Sequence, residues 1–162
     1  MKPVLNIAAL LITMSVAVES TAQLVVDKPV YDETMWAMQK RKTVLDHMDL
    51  TEAEKAAFWP IYESYSRAIQ FIESETLYII SVSNDPTYQM DQNEIESYSR
   101  KKLQNDLLLD RARFQYYKKF SKALSPARAA QFMQLDDNLR MVLRMDVQTA
   151  AQRGEEAQAS IR

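Results

Sequence analysis

The sequence predicts an all-α fold of four helices organised around a long antiparallel helical hairpin, and three observations carry that prediction. A single glycine in 162 residues leaves little material for turn-rich β architecture. After residue 31, apolar residues recur at spacings of three and four through most of the chain. Finally, LTEAEKAAF at Leu50–Phe58 returns in altered form as LSPARAAQF at Leu124–Phe132. The two copies align Leu50 with Leu124, Thr51 with Ser125, Ala53 with Ala127, Ala56 with Ala130 and Phe58 with Phe132. Each copy reads as a hydrophobic anchor, a hydroxyl cap and the first turns of a helix. In the first, Glu54 completes a capping box; in the second, Pro126 takes the first helical position, where its missing N–H costs nothing.

The N-terminus follows different rules. Lys2 supplies a positive start, Val4 to Val18 is largely apolar, and Ser20-Thr21-Ala22 offers small residues for a signal peptidase. Residues 1–22 are therefore read as a secretory signal peptide cleaved after Ala22. The apolar run is shorter than the roughly 20 residues of a spanning helix, so no membrane span is expected after cleavage. The chain has no cysteine, which removes both a lipoprotein anchor and disulfides. The chain is therefore expected to be exported. Residues 23–30, with Pro29, read as an extended or mobile leader, and 31–153 as one helical domain.

Helix one begins near Tyr31 with a stripe of Tyr31, Met35, Met38, Leu45 and Met48, charged residues such as Lys40 lying between, and ends near Asp49. Helix two is expected from about Glu52 to about Val82 on Phe58, Ile61, Tyr65, Ala68 and Ile72, widened by Tyr62, Ile69 and Ile80. Pro60 predicts either a bend at Ala56–Pro60 or a break after Trp59, since an interior proline removes one donor and crowds the carbonyl of Ala56. The turn formers Asn84, Asp85 and Pro86 then interrupt the pattern. Helix three follows from about Gln92 to Ala123 after an Asp91–Glu94 capping pair, with Ile95, Tyr98, Leu103, Leu107, Phe114, Tyr117 and Leu124 on its apolar side. Helix four starts at Pro126 and carries Phe132, Leu135, Leu139, Val142 and Val147. Gly154 marks its latest stop, leaving 154–162 as a flexible tail.

Two long helices and two short corners predict that helices two and three fold back on each other, with helices one and four near the opposite end. Residues 52–85 hold six acids against two bases, and 92–122 hold eight bases against four acids. Opposite charge favours pairing those two arms.

Groups for catalysis are scarce. His47 is the one histidine, no glycine-rich segment could cradle a phosphate, and no Glu-x-x-His pair supports a di-iron site. Asp46 beside His47 supplies at most two metal ligands and reads as an exposed helix end. Asp136 and Asp137 point about 100° apart on a helix and read as a solvated face. No cofactor is expected. Lys118, Lys119 and Lys122, with Arg111 and Arg113 before them and Tyr116 and Tyr117 among them, form a basic patch with interleaved aromatics. In an exported chain of net charge -2 this patch suits acidic or unfolded polypeptide, or plain solvation, better than nucleic acid. Methionine, tyrosine and tryptophan suit adaptable binding surfaces as well as cores. Trp36 and Trp59 fall next to stripe residues, which exposes at least one of them.

LTEAE at Leu50–Glu54 and LSPAR at Leu124–Arg128 resemble the paired LTxxQ motifs of the Spy/CpxP-type periplasmic proteins, and FWPIYESY at Phe58–Tyr65 looks like a variant within that family. The likeness spans helices one to four. Leucine and the hydroxyl match in both copies, whereas the glutamine positions hold Glu54 and Arg128. The resemblance implies helical hairpins pairing into curved, cradle-like dimers that act in envelope stress as ATP-independent chaperones or as modulators of stress sensing. It implies no metal here, because the histidine-rich segments of zinc-binding relatives are missing. The expectation is a non-enzymatic, homodimeric binder of unfolded polypeptides, with Leu50, Thr51, Glu54, Leu124, Ser125 and Arg128 as motif and cap residues. Trp59, Arg111, Arg113, Tyr116, Lys118 and Lys119 are its candidate contacts to polypeptide. The alternative is a regulatory partner docking on one envelope-stress sensor or anti-sigma component. An enzyme is the third and weakest reading.

Overall fold

Each helix starts where a side chain satisfies its first amides. The computed structural model describes residues 31–159, apart from the side chains of 154–159. The expected signal peptide at 1–22, the leader at 23–30 and the last three residues of the expected tail lie outside the described residues. The helices are α1 (Glu33–Met48), α2 (Glu52–Asn84), α3 (Gln92–Ala123) and α4 (Pro126–Ala159). Asp32 Oδ1 accepts from Met35 N at 2.9 Å to open α1. Capping boxes open α2 through Thr51 and Glu54, and α3 through Asp91 and Glu94. Ser125 Oγ accepts from Arg128 N at 3.2 Å to open α4. Both repeat copies therefore begin helices in the same manner. No strand occurs among the described residues.

The pairing follows from which residues meet. Across α2 and α3, Ser64 bonds Tyr116, Thr76 bonds Asn105, and Tyr78 stacks edge-on with Tyr98. One number rises as the other falls, so the hairpin is antiparallel. Arg113 with Asp137 and Asp106 with Arg144 set α4 antiparallel to α3. Gln131 with His47, and Lys40 with Asp136, set α1 antiparallel to α4. The backbones of α2, α3 and α4 approach one another closely, whereas α1 approaches only α4 at that range and reaches α2 through side chains.

Of the two outcomes expected at Pro60, the break after Trp59 does not occur: α2 runs unbroken through this exposed position. α4 runs beyond its expected stop: with 34 residues it matches the arms of the hairpin and passes through Gly154 to Ala159. Its far half is held by Leu143 and Val147, which pack with Leu77 and with half-buried Tyr31, Trp36 and Ile80.

The core is layered along the bundle. Near the corners, Phe58, Tyr62, Tyr65, Phe120 and Phe132 form an aromatic cluster joined by Val44, Met48, Ile69 and Leu109. At its centre Phe58 and Phe132, the equivalent residues of the two repeat copies, meet edge to face at 5.1 Å. Leu77, Leu143 and Val147 form a second cluster. Between the two lies a charged layer. Among the described residues no helix is long and apolar enough to cross a membrane.

Inward faces also differ from the purely apolar stripes. On α1 the buried residues are Lys40, Val44 and Met48, while Met35, Met38 and Leu45 are exposed. On α3 they are Asn105, Leu109, Tyr116 and Phe120, while Ile95, Leu103, Leu107 and Phe114 face outward. On α4, Asp136 and Arg140 lie inside and Val142 outside. The physical reason is common to all three: interior positions are filled by polar or charged groups that are paired once the helices come together.

Candidate functional site

Three places bring chemistry-bearing residues together: the repeat corner, the charged layer and the outer face of α3. At the corner the two motifs touch. Glu54 Oε2 closes its capping box on Thr51, and Arg128 Nε stands 3.6 Å from Glu54 Oε1. Arg128 also donates to Met48 O at 2.7 Å and Asp49 O at 3.1 Å, while Gln131 donates to His47 O at 3.1 Å. The α1 C-terminus, which ends at left-handed Asp49 (φ 44), is thereby tied to the start of α4. The Thr51 amide and hydroxyl, together with the charge of Arg128, hold the Glu54 carboxyl below its ordinary range. Leu50 is buried and Leu124 half-buried against the aromatic cluster. All six motif residues therefore do structural work at one corner. Arg128→Ala removes the ties to α1 and is expected to cost about 1–2 kcal/mol, read as a lower urea midpoint.

The charged layer joins α1, α2 and α4. Lys40 Nζ lies 2.7 Å from Asp136 Oδ1, and Arg140 Nη1 lies 2.6 Å from Asp136 Oδ2. Tyr65 donates to Asp136 Oδ2 at 2.6 Å and accepts from Arg140 at 2.8 Å. Glu73 Oε1 sits 3.6 Å from Arg140 and 4.0 Å from Lys40. Asp136 is wholly buried, so the solvated reading holds only for exposed Asp137, which pairs with Arg140 and Arg113. Burial alone would raise the Asp136 carboxyl, but Lys40 and then Arg140 hold it below the usual value. Burial would lower the Lys40 ammonium, yet Asp136 and Glu73 hold it high. Glu73 is pushed up by burial, with Lys40 pulling the other way. These are two acids and two bases neutralising one another, which is the electrostatics of a structural layer.

The pH dependence follows from those directions. The contribution of Asp136 is full above about 3.9, its unfolded value, and is lost as pH falls through the lower folded value. The contribution of Lys40 is full below about 10.4 and is lost as pH rises through the higher folded value. Glu73 has the opposite sign to Asp136: its folded form binds the proton more readily, so it costs stability as pH rises from about 4.3, its unfolded value, through the higher folded value. The urea midpoint is expected to be broad around neutrality with an acid and an alkaline limb. Lys40→Met should shrink the alkaline limb to the part contributed by the Tyr62 and Tyr65 hydroxyls, which burial holds above their ordinary value.

The outer face of α3 carries the remaining candidates. Leu103, Leu107 and Phe114 lie within about 40° of one another around the helix. They are 69%, 53% and 60% exposed, with Leu108 at 47% on the neighbouring flank. Exposed Arg111, Lys118 and Lys119 border them, and the Lys118 ammonium lies over the Phe114 ring at 4.2 Å. The other predicted contacts are not brought to this face. Tyr116 is buried, bonded to Ser64 at 2.8 Å, and covered by Lys119 at 4.1 Å from its ring. Arg113 is half-buried and paired with Asp110 and Asp137. Trp59 is half-buried in the aromatic cluster beneath the Arg41 guanidinium, 4.0 Å from the ring. The sequence signal for this face was the Leu103–Leu107–Phe114 spacing, which reads equally well as core.

Among the described residues no three of His, Asp and Glu gather as metal ligands. Asp46 pairs with Lys42 and the His47 ring bonds Thr43 O. Comparisons with protein-family models, curated proteins and solved structures return no match.

Proposed function

We propose that this chain is an exported, non-enzymatic helical protein of the Spy/CpxP kind. It acts in the periplasm after its signal peptide is cleaved and binds unfolded polypeptides without ATP. The observation that carries the reading is the uncovered apolar stripe on α3 bordered by Arg111, Lys118 and Lys119. α3 is already apolar on the side that packs against α2 and α4, and a helix with a second apolar side is suited to a binding partner on that side. Leucine and phenylalanine supply area without sequence preference, and the flanking bases favour segments of net negative charge. The reading includes a homodimer in which two copies present their stripes on one shared face.

The test is direct. Purified mature protein is expected to suppress light scattering from a chemically denatured client in ATP-free buffer, and its mass in solution is expected to be that of two chains. No suppression at several-fold molar excess overturns the binding role, and a single-chain mass under the same conditions overturns the shared face.

A further inference from the structure

α4 is covered on three sides and open on the fourth. Phe132, Asp136, Arg140, Leu143 and Val147 are buried and face the core. Arg128 reaches the end of α1, while Asp137 and Arg144 reach Arg113 and Asp106 on α3. The fourth side carries Ala130, Gln134, Asn138, Met141, Met145 and Gln148, all exposed and within about 80° of one another around the helix. Met141 and Met145 are 57% and 60% exposed. Between Pro126 and Arg153 the chain holds seven charged residues, and at 100° per residue none falls on this side. The other three helices differ, since their exposed faces carry Lys42, Arg67 and Arg111. Poverty in charge together with methionine is the composition of a surface that packs on another protein.

We infer that this side of α4 is the interface of a homodimer, packed antiparallel against the same side of a second copy. Around a two-fold axis, whatever residue i meets on the partner is met in return. Centred on Asn138, the packing sets Ala130 against the partner's Met145 and Gln134 against the partner's Met141, with Ala127 against the partner's Gln148. Each methionine thus lies over a small or flexible side chain, which lets the two backbones approach. Asn138 meets its own copy, and an amide, holding both donor and acceptor, is complementary to itself. A strongly charged partner finds no counter-charge on this side, and a second copy needs none. The face is about 32 Å long and one helix, about 10–12 Å, wide. Two such faces with their flanks remove on the order of 1,000 Å² from water, the low end for a specific pair. Dissociation is therefore expected in the micromolar range.

The same axis decides where α3 goes. It runs perpendicular to the paired helices, and α3 flanks α4 on one side only, so both copies place α3 on the same side of the dimer. The shared client face rests on the proposed polypeptide-binding role; the interface itself rests on α4.

Sedimentation equilibrium of the mature chain across about 1–200 μM is expected to show two chains associating reversibly. Met141→Glu combined with Met145→Glu should raise the dissociation constant at least about tenfold, with an unchanged melting curve because both residues stand exposed. Asn138→Lys and Asn138→Glu should each weaken self-pairing, and an equal mixture of the two should restore it, as only a residue facing its own copy requires. A parent that stays single throughout, an undiminished dimer in the double glutamate chain, or a mixture that pairs no better than either component each overturns the interface. The Leu107→Glu, Phe114→Glu chain should dimerise as the parent does, which separates loss of client binding from loss of the interface. Loss of its dimer would move the contact to α3 and overturn the assignment to α4.

Discussion

Asp136→Ala is expected to lower the free energy of unfolding by about 3–5 kcal/mol, the cost of stranding buried charges. For a chain of this size that is a fall of roughly 10–20 °C in the thermal midpoint. The magnitude follows from position. One wholly buried carboxylate faces Lys40 on one oxygen and Arg140 with the Tyr65 hydroxyl on the other. Removing it leaves an ammonium and a guanidinium inside, opposed by Glu73 and, for Arg140, by exposed Asp137. Replacing the set together, as Lys40→Met, Glu73→Gln, Asp136→Leu and Arg140→Met, should cost less than the single change, because no buried charge is left unpaired. Circular dichroism melts of the three proteins decide it. A loss below about 1 kcal/mol for Asp136→Ala would mean that water reaches the layer and that it does not hold α1 to the bundle.

The second large effect concerns binding. Leu107→Glu combined with Phe114→Glu should abolish suppression of client aggregation, or shift the protein needed by roughly tenfold or more. Partial burial of each side chain against a client is worth on the order of 1–2 kcal/mol, and a glutamate would instead carry charge into that contact. The fold should be untouched, since both residues stand more than half exposed. Equal melting curves with retained suppression would place client binding elsewhere on the molecule.

Much of the architecture was legible because local chemistry and global fold agree at the helix ends. Thr51, Glu54, Asp91, Ser125 and Pro126 each offer a start signal that needs no tertiary context, and each stands at the start of the helix it predicts. α2 was also well read, since Phe58, Tyr65 and the widening residues Tyr62 and Ile69 are all buried. The inward faces of the other helices were not. Lys40, Asn105, Asp136 and Arg140 hold core positions, and hydrophobic periodicity assigns such residues to solvent. Excluding them turns the inferred stripe toward Met38 on α1, Leu103 on α3 and Val142 on α4. The partners that make those charges tolerable come from other helices, so one helix read alone carries no trace of them. The same error concealed the α3 face, whose leucines and phenylalanine were assigned to an interior already filled by Leu109, Tyr116 and Phe120. The motif corner was legible as two caps. That Glu54 and Arg128 would stand beside each other needed the fold.

Burial of Lys40 gives the molecule a chemical label of its own state. A water-soluble acylating reagent attacks free amines, and Lys42, Lys118 and Lys119 stand exposed to it. The Lys40 amine is shut in and kept protonated by Asp136, so it reacts only when α1 lifts away. Mass-spectrometric timing of that one acylation, set against its fast neighbours, therefore measures how often the first helix leaves the bundle.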